Sequence, residues 1–189
     1  MNQIPSISDA FRAMAGATEA AIIADTAINW GTLPKKVYFM QGHPKELAGI
    51  LQSLTDASLP KYPLVILIRD VEDQGAITGQ NGINTDINAR LVICMRTQPD
   101  LRADDREIQN FKPILHPIFW QFIYQITQSS LFNMPTIEDM KLKWTDRYFW
   151  GGSIENKNIF NDFIDAVEIR SIQLTVDNEH CNFSSNLKF

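Results

Sequence analysis

The chain has 189 residues, 44% of them hydrophobic and 21% charged, with a formal net charge of −5. That composition excludes an intrinsically disordered chain, and the acidic balance argues against a protein that coats duplex nucleic acid through a basic face. It leaves room for a local basic patch, or for a lumen through which DNA passes. The length suits one domain spanning 1–189, with a compact body over about 6–176 and a polar C-terminal tail over 177–189. A body of this size buries roughly 70% of its unfolded surface and needs no staples. The longest apolar runs, such as Pro63 to Ile68, fall far short of the ~20 residues of a membrane span. The N-terminus lacks the charged and apolar regions of a signal peptide. The chain is therefore expected in the cytoplasm where it is made, unless it leaves as part of a particle.

The first helix is expected over Ser8 to Ile28, with Ser8 as its cap and Phe11, Met14, Ala15, Ile22 and Ile23 as its apolar stripe, Thr18 filling the gap. A Gly-Thr-Leu-Pro turn leads into a strand over Lys36 to Met40. Gly42-His43-Pro44 ends that strand and opens a helix with an apolar stripe of Leu47, Ile50, Leu51 and Leu54. Leu64 to Val71 is almost wholly apolar up to Arg69, the pattern of a central strand covered on both faces. Asp86 to Thr97 alternates as a second strand, with Ile87, Ala89, Leu91, Ile93 and Met95 on one face and Asn88, Arg90 and Arg96 on the other. The polar stretch between them, carrying Gly75, Gly79 and Asn81-Gly82, predicts an antiparallel hairpin with a mobile tip.

The most apolar helix follows, with Ile108, Phe111, Leu115, Ile118, Phe119, Phe122, Ile123 and Ile126 at helical spacing. Pro113 and Pro117 interrupt it, and an interior proline costs about 3 kcal/mol. The helix is therefore expected to start or kink at Pro113, with Ile108 in a preceding turn. Asp139 to Trp150 reads as a strand and Asn158 to Asp165 as a short helix or turn. Ala166 to Val176 is the last strand. Its alternation changes phase between Val167/Ile169 and Ile172/Leu174/Val176, which predicts a β-bulge near Arg170 or Ser171. The fold class is α/β in the α+β sense: a single domain with a mixed, mostly antiparallel sheet of about four to five strands against two to three helices.

The chemistry-bearing residues form no recognised catalytic pattern. Gly75, Gly79 and Gly82 lack the Gly-Lys-Ser/Thr and following helix of a phosphate loop. His43, His116 and His180 fall on different elements, His43 at a helix start and His116 between two prolines beside an apolar face. Cys94 lies in an apolar run and Cys181 in the polar tail, the pattern of two free thiols in a reducing compartment. Asp70, Glu72 and Asp73, and again Asp104, Asp105 and Glu107, are acidic clusters. They suit a solvated loop and a charged helix start, or general acid/base work if the fold joined them. No cofactor, metal ligand or catalytic residue is assigned. Tyr148-Phe149-Trp150 is the most suggestive segment. Three consecutive aromatics on a strand cannot share one face, so one must pack on a second layer or on a partner.

Five segments carry a family resemblance: Tyr-Pro-Leu-Val-Ile-Leu-Ile-Arg-Asp (62–70), Ala-Arg-Leu-Val-Ile-Cys-Met (89–95), Phe-Lys-Pro-Ile-Leu-His-Pro-Ile-Phe (111–119), Asp-Arg-Tyr-Phe-Trp-Gly-Gly (146–152) and Asn-Asp-Phe-Ile-Asp-Ala-Val-Glu-Ile-Arg (161–170). In their order they resemble the tail terminator and tail-completion proteins of bacteriophages and prophages, over roughly residues 6–176. The likeness lies in packing and turn patterns, and it transfers no individual functional residue. It implies a non-enzymatic structural virion protein that forms a homo-oligomeric ring, a hexamer by analogy. Its partners would be copies of itself and the tail tube and neck proteins, with no membrane and no specific nucleic-acid contact. The chain would assemble in the bacterial host cytoplasm and end in the virion tail. The residues expected at a subunit interface are Tyr148, Phe149, Trp150, Gln80, Asn81 and Phe183. Two rival readings stand beside it: a small adaptor or ligand-binding module using a groove beside Phe119 and Phe122, and an enzyme using the acidic clusters.

Overall fold

A computed structural model describes residues 7–25, 35–43, 46–47, 49–50, 61–68, 74–78, 82–129, 132–133, 142–150 and 163–176. Helix α1 runs over Ile7–Ala24. Strands β1 (Tyr38–Gly42) and β2 (Leu64–Ile68) follow, with helical residues 46, 47, 49 and 50 between them. Strands β3 (Gln74–Thr78) and β4 (Gly82–Arg96) come next. A long helix has three parts: α2 (Ala103–Arg106), a π-helical segment (Glu107–Leu115) and α3 (His116–Gln128). Strands β5 (Phe132–Asn133), β6 (Lys143–Arg147) and β7 (Ile164–Val176) complete the order.

The result is the expected α+β domain with one mixed sheet. Its path is β1-β2-β4-β7-β5, with β3 also on β4 and β6 also on β7. Only β1 and β2 are parallel, and the other pairs are antiparallel. The two longest strands, β4 and β7, lie side by side at the centre. Each carries two shorter strands end to end along its outer edge: β2 and β3 on β4, β6 and β5 on β7.

The hairpin expected between Leu64 and Thr97 is present and longer than its sequence signals suggest. Gly75 and Gly82 lie within paired strands, so only residues 79–81 separate β3 from β4. The pairing takes in polar and glycine positions on both strands. β2 is buried at every position, as its unbroken apolar run requires.

The bulge also stands where the phase change puts it. Ala89 pairs with Ile172 and Leu91 with Ile169, so Arg170 and Ser171 together face Arg90 alone. The neighbouring strand registers the same extra residue, since Lys143 pairs with Ser171 and Trp144 with Ile169. The bulge keeps Ile169, Ile172 and Leu174 all fully buried across the slip.

Several boundaries differ from expectation. Ser8 is not a cap. It sits one turn-position inside α1, 4% exposed, with a hydroxyl that has no hydrogen-bond partner among the described residues. Phe11, Met14, Ala15, Thr18 and Ile22 form the buried stripe, but Ile23 and Ile50 are exposed. The stripe packs α1 on α3, with the Phe11 and Phe122 rings stacked at 6.3 Å and Phe132 at 5.8 Å from Phe11. The first strand runs over Tyr38–Gly42 rather than Lys36 to Met40, and Glu19 Oε2 accepts the Val37 N–H at 2.8 Å just before it.

The long helix starts at Ala103, not at Pro113. Helical backbone continues through both junctions, and the His116 N–H reaches the Phe111 carbonyl five residues back. The π turn's wider bonding accommodates the prolines, whose missing N–H groups would break a tight α turn. Ile108 is helical but points to solvent at 67% exposure. β6 covers only Lys143–Arg147 of the expected longer strand, and residues 148–150 form a turn. β7 begins at Ile164, so Ile164 and Asp165 belong to the strand and not to a helix or turn. Leu51, Leu54, residues 26–28, 139–141, 158–162 and the tail 177–189 lie outside the described residues.

Candidate functional site

β7 places two acids three positions apart, and side chains alternate across a strand. Asp165 therefore meets the helices while Glu168 meets the opposite face. Both are buried, and each organises a cluster of its own.

Asp165 and Arg106 form a fully buried ion pair at 2.6 Å. Arg106 also donates to the Leu101 carbonyl at 3.0 Å, the Gln98 carbonyl at 2.9 Å and Thr97 Oγ1 at 3.2 Å. Asn110 donates to Asp165 Oδ2 at 2.7 Å and to Thr97 Oγ1 at 3.0 Å. The network ties the β4–α2 loop, the π segment and β7 into one unit. It reaches the aromatic turn as well: the Phe149 N–H approaches Asp165 Oδ1 at 3.4 Å, and the Arg106 guanidinium lies 3.9 Å from the Phe149 ring centre. Phe149 holds φ +52°, a left-handed conformation that the stacking and the hydrogen bond secure. Trp150 is tied down by its N–H to the Ile164 carbonyl at 2.7 Å.

Glu168, 3% exposed, lies between two arginines from the flanking strands. Arg90 of β4 donates through Nε (3.1 Å) and Nη2 to Glu168 Oε1, and Arg147 of β6 donates through Nε at 3.1 Å to Oε2. Burial pushes the Glu168 carboxyl up, but the hydrogen bonds and charges of Arg90 and then Arg147 outweigh it and hold the carboxyl below its usual range. Arg170 joins them at the bulge. Arg90, Arg147, Arg170 and Glu168, with Tyr148, Phe149 and Trp150 as an aromatic wall, line an open cleft of about 590 Å³. Burial, followed by the charges of Glu107, Asp146 and Asp165, raises the Tyr148 hydroxyl above its usual value.

A second surface lies on the helix side of β6. Trp144 of β6 and Trp120 of α3 pack edge to face at 5.6 Å, both touching Phe119. They remain 45% and 53% exposed, with Tyr124 on the same helix at 51%. One turn along, His116 hydrogen-bonds Asp146 Oδ2 at 3.0 Å. That bond ties the long helix to β6.

Of the six expected interface residues, Tyr148 and Phe149 are 43% and 40% exposed. Trp150 instead packs partly buried against the core. Gln80, Asn81 and Phe183 lie outside the described residues. Phe119 and Phe122, beside which a ligand groove was expected, are themselves fully buried. Asp104 and Asp105 are exposed at the helix start, as expected of a charged helix start, while Asp70, Glu72, Asp73, His180 and Cys181 lie outside the described residues. Cys94 is buried in β4, and burial pushes its thiol far up, away from thiolate chemistry. His43 lends its carbonyl to the Leu47 N–H, the bond of a helix start.

Sequence reasoning missed both acid-centred clusters. Arg106 and Asp165 are 59 residues apart, and Arg90 and Glu168 are 78 apart. The available signal was local: each acid sits inside an apolar strand, where an unpaired carboxylate would be costly. Among the described residues no group of three or more His, Cys, Asp or Glu is placed to hold a metal ion, and no helix is long and apolar enough to cross a membrane. No protein-family model matches the chain, and no curated protein matches it.

Proposed function

We propose that the chain is a structural virion protein of a phage or prophage tail: a ring-forming terminator or completion protein at the tail–neck junction. The observation that carries self-association is the aromatic flank at the β6 edge. Trp120, Tyr124 and Trp144 each keep about half of their surface in water, and exposed aromatics in one contiguous area are what subunit interfaces are made of. β6 has no strand partner on its outer edge among the described residues, and an uncovered edge invites pairing that a closed ring would satisfy. The His116–Asp146 hydrogen bond beside it ties the helix to β6, and a flank held in place loses less entropy on docking. The assignment to a tail rests on the family resemblance of the five segments.

Light scattering on a sizing column, over a range of protein concentrations, tests the reading. A discrete closed multimer of about six subunits is expected, the size the family analogy implies for cyclic symmetry. Negative-stain images should then show rings. A monomer at every concentration, or open-ended growth without a closed species, counts against it.

A further inference from the structure

We propose that the arginine cleft receives the acidic turn of a second copy of this chain, so that Arg90, Arg147 and Arg170 of one protomer meet Asp100, Asp104 and Asp105 of the next. The inference deepens the ring reading and rests on it.

The cleft is preorganised for carboxylates. Buried Glu168 draws Arg90 and Arg147 together from the strands on either side of β7, so that both guanidiniums converge on its one carboxylate. Each arginine still has nearly half of its side chain in water, 47% and 44%. Glu168 engages only part of each guanidinium, and the remaining N–H donors suit planar, two-point recognition of carboxylates. Three arginines against one glutamate leave the lining with a charge of +2, in a chain whose total is −5. Tyr148, Phe149 and Trp150 form an aromatic wall at one end of the cleft.

The complementary surface is on the same molecule but elsewhere. Asp100, Asp104 and Asp105 are all exposed around the start of α2, and none makes an ion pair among the described residues. The nearby Arg106 is turned inward and spent on Asp165. Because Asp165 and Glu168 point to opposite faces of β7, the helix that starts at Ala103 and the arginine cleft lie on opposite sides of the sheet. Within one protomer the aromatic turn that walls the cleft and stacks on Arg106 stands between the two patches. Two different patches on two faces make a head-to-tail contact, the kind that closes into a ring when the rotation allows.

Charge reversal tests this without stranding Glu168. Arg170→Glu alters the cleft at the one arginine that does not bond Glu168, and the double variant Asp104→Lys/Asp105→Lys alters the acidic turn. Unchanged thermal melts establish that both fold. Each variant should associate at least tenfold more weakly than the wild type. Raising sodium chloride from about 0.05 to about 0.5 M, which shortens the screening length to a few ångströms, should weaken the wild type. An equimolar mixture of the two variants should recover assembly, since the two native surfaces complement each other and so do the two reversed ones. Combining all three substitutions in one chain should recover assembly. A multimeric wild type whose variants assemble equally well overturns the cleft contact while leaving the ring reading standing. A wild type that never associates overturns both. Wild-type binding of a single-stranded oligonucleotide, lost in Arg170→Glu with self-association unchanged, would reassign the cleft to phosphate and overturn the proposal.

Discussion

Asp165 and Glu168 show at the residue scale why a buried carboxylate is retained only with partners. Removing one member of a buried pair costs about 3–5 kcal/mol, because the other is left charged and dry. Asp165→Ala should therefore lower the unfolding free energy by that amount, read as a lower urea midpoint at an unchanged m-value, and Asp165→Leu combined with Arg106→Met should cost clearly less. A single variant within about 1 kcal/mol of wild type would mean that Arg106 finds water or another acceptor. Glu168 makes a different prediction, in pH. Its carboxyl is held below the ordinary value of 4.5, so the folded state binds its proton less readily than the unfolded state. The stability it contributes is fully present above that ordinary value and disappears as the pH falls through the lower folded value. Wild-type stability should thus drop more steeply than that of Glu168→Gln below the ordinary carboxyl range, with the two converging in acid. Parallel slopes in acid urea titrations would contradict the assignment. Neither pair was legible in the sequence. A carboxylate inside an apolar strand announces that it needs a partner, but not which arginine, many tens of residues away, supplies it.

Among the elements, the bulge in β7 and the π segment mark the limits of periodicity as a guide. The bulge was legible because a strand's period is two, so one extra residue inverts every later side chain. Deleting Ser171 should straighten the strand and leave Ile172 opposite Ala89 and Leu174 opposite Ile87, whereas inserting one alanine after Ser171 should turn both fully buried side chains away from their core. At about 1.5–3 kcal/mol for each side chain exposed, the insertion should bring the protein close to unfolding and the deletion should cost far less. An insertion variant with a wild-type melting temperature would show that the strand re-registers freely. The π segment was not legible. Two prolines within an apolar helical pattern signal a break, and the chain avoids one by changing its bonding from four residues back to five. Such a change leaves the apolar spacing near the helical value and depends on what the wider turn packs against. The sequence placed the second strand of the hairpin from Asp86, and the pairing of Gln74–Thr78 with Gly82–Asp86 extends it through backbone groups that every sequence possesses.

For the whole molecule, assembly depends on surfaces rather than on the core. Trp144→Ala, alone and with Trp120→Ala, should reduce the multimer while costing about 1 kcal/mol or less of protomer stability, since both rings stand half in water. Trp150→Ala is expected to behave in the opposite way. Its side chain packs on the core, so protomer stability should fall first, while the backbone N–H bond to the Ile164 carbonyl is kept. Sedimentation velocity with parallel melts separates the two. Equal losses of stability in Trp144→Ala and Trp150→Ala would remove the distinction drawn between interface and core aromatics.

The sequence by itself determined the fold class, the hairpin from Leu64, the last strand with its bulge and the main buried stripes. These follow from local alternation, which any window of a few residues displays. It also marked Tyr148-Phe149-Trp150 as unable to share one face. Only the tertiary structure decided which of the three turns inward, which arginines neutralise Asp165 and Glu168, and that Trp120 and Trp144 meet at an exposed flank. Those outcomes join residues distant in the chain, and they are set by strand order and register, which no local pattern encodes.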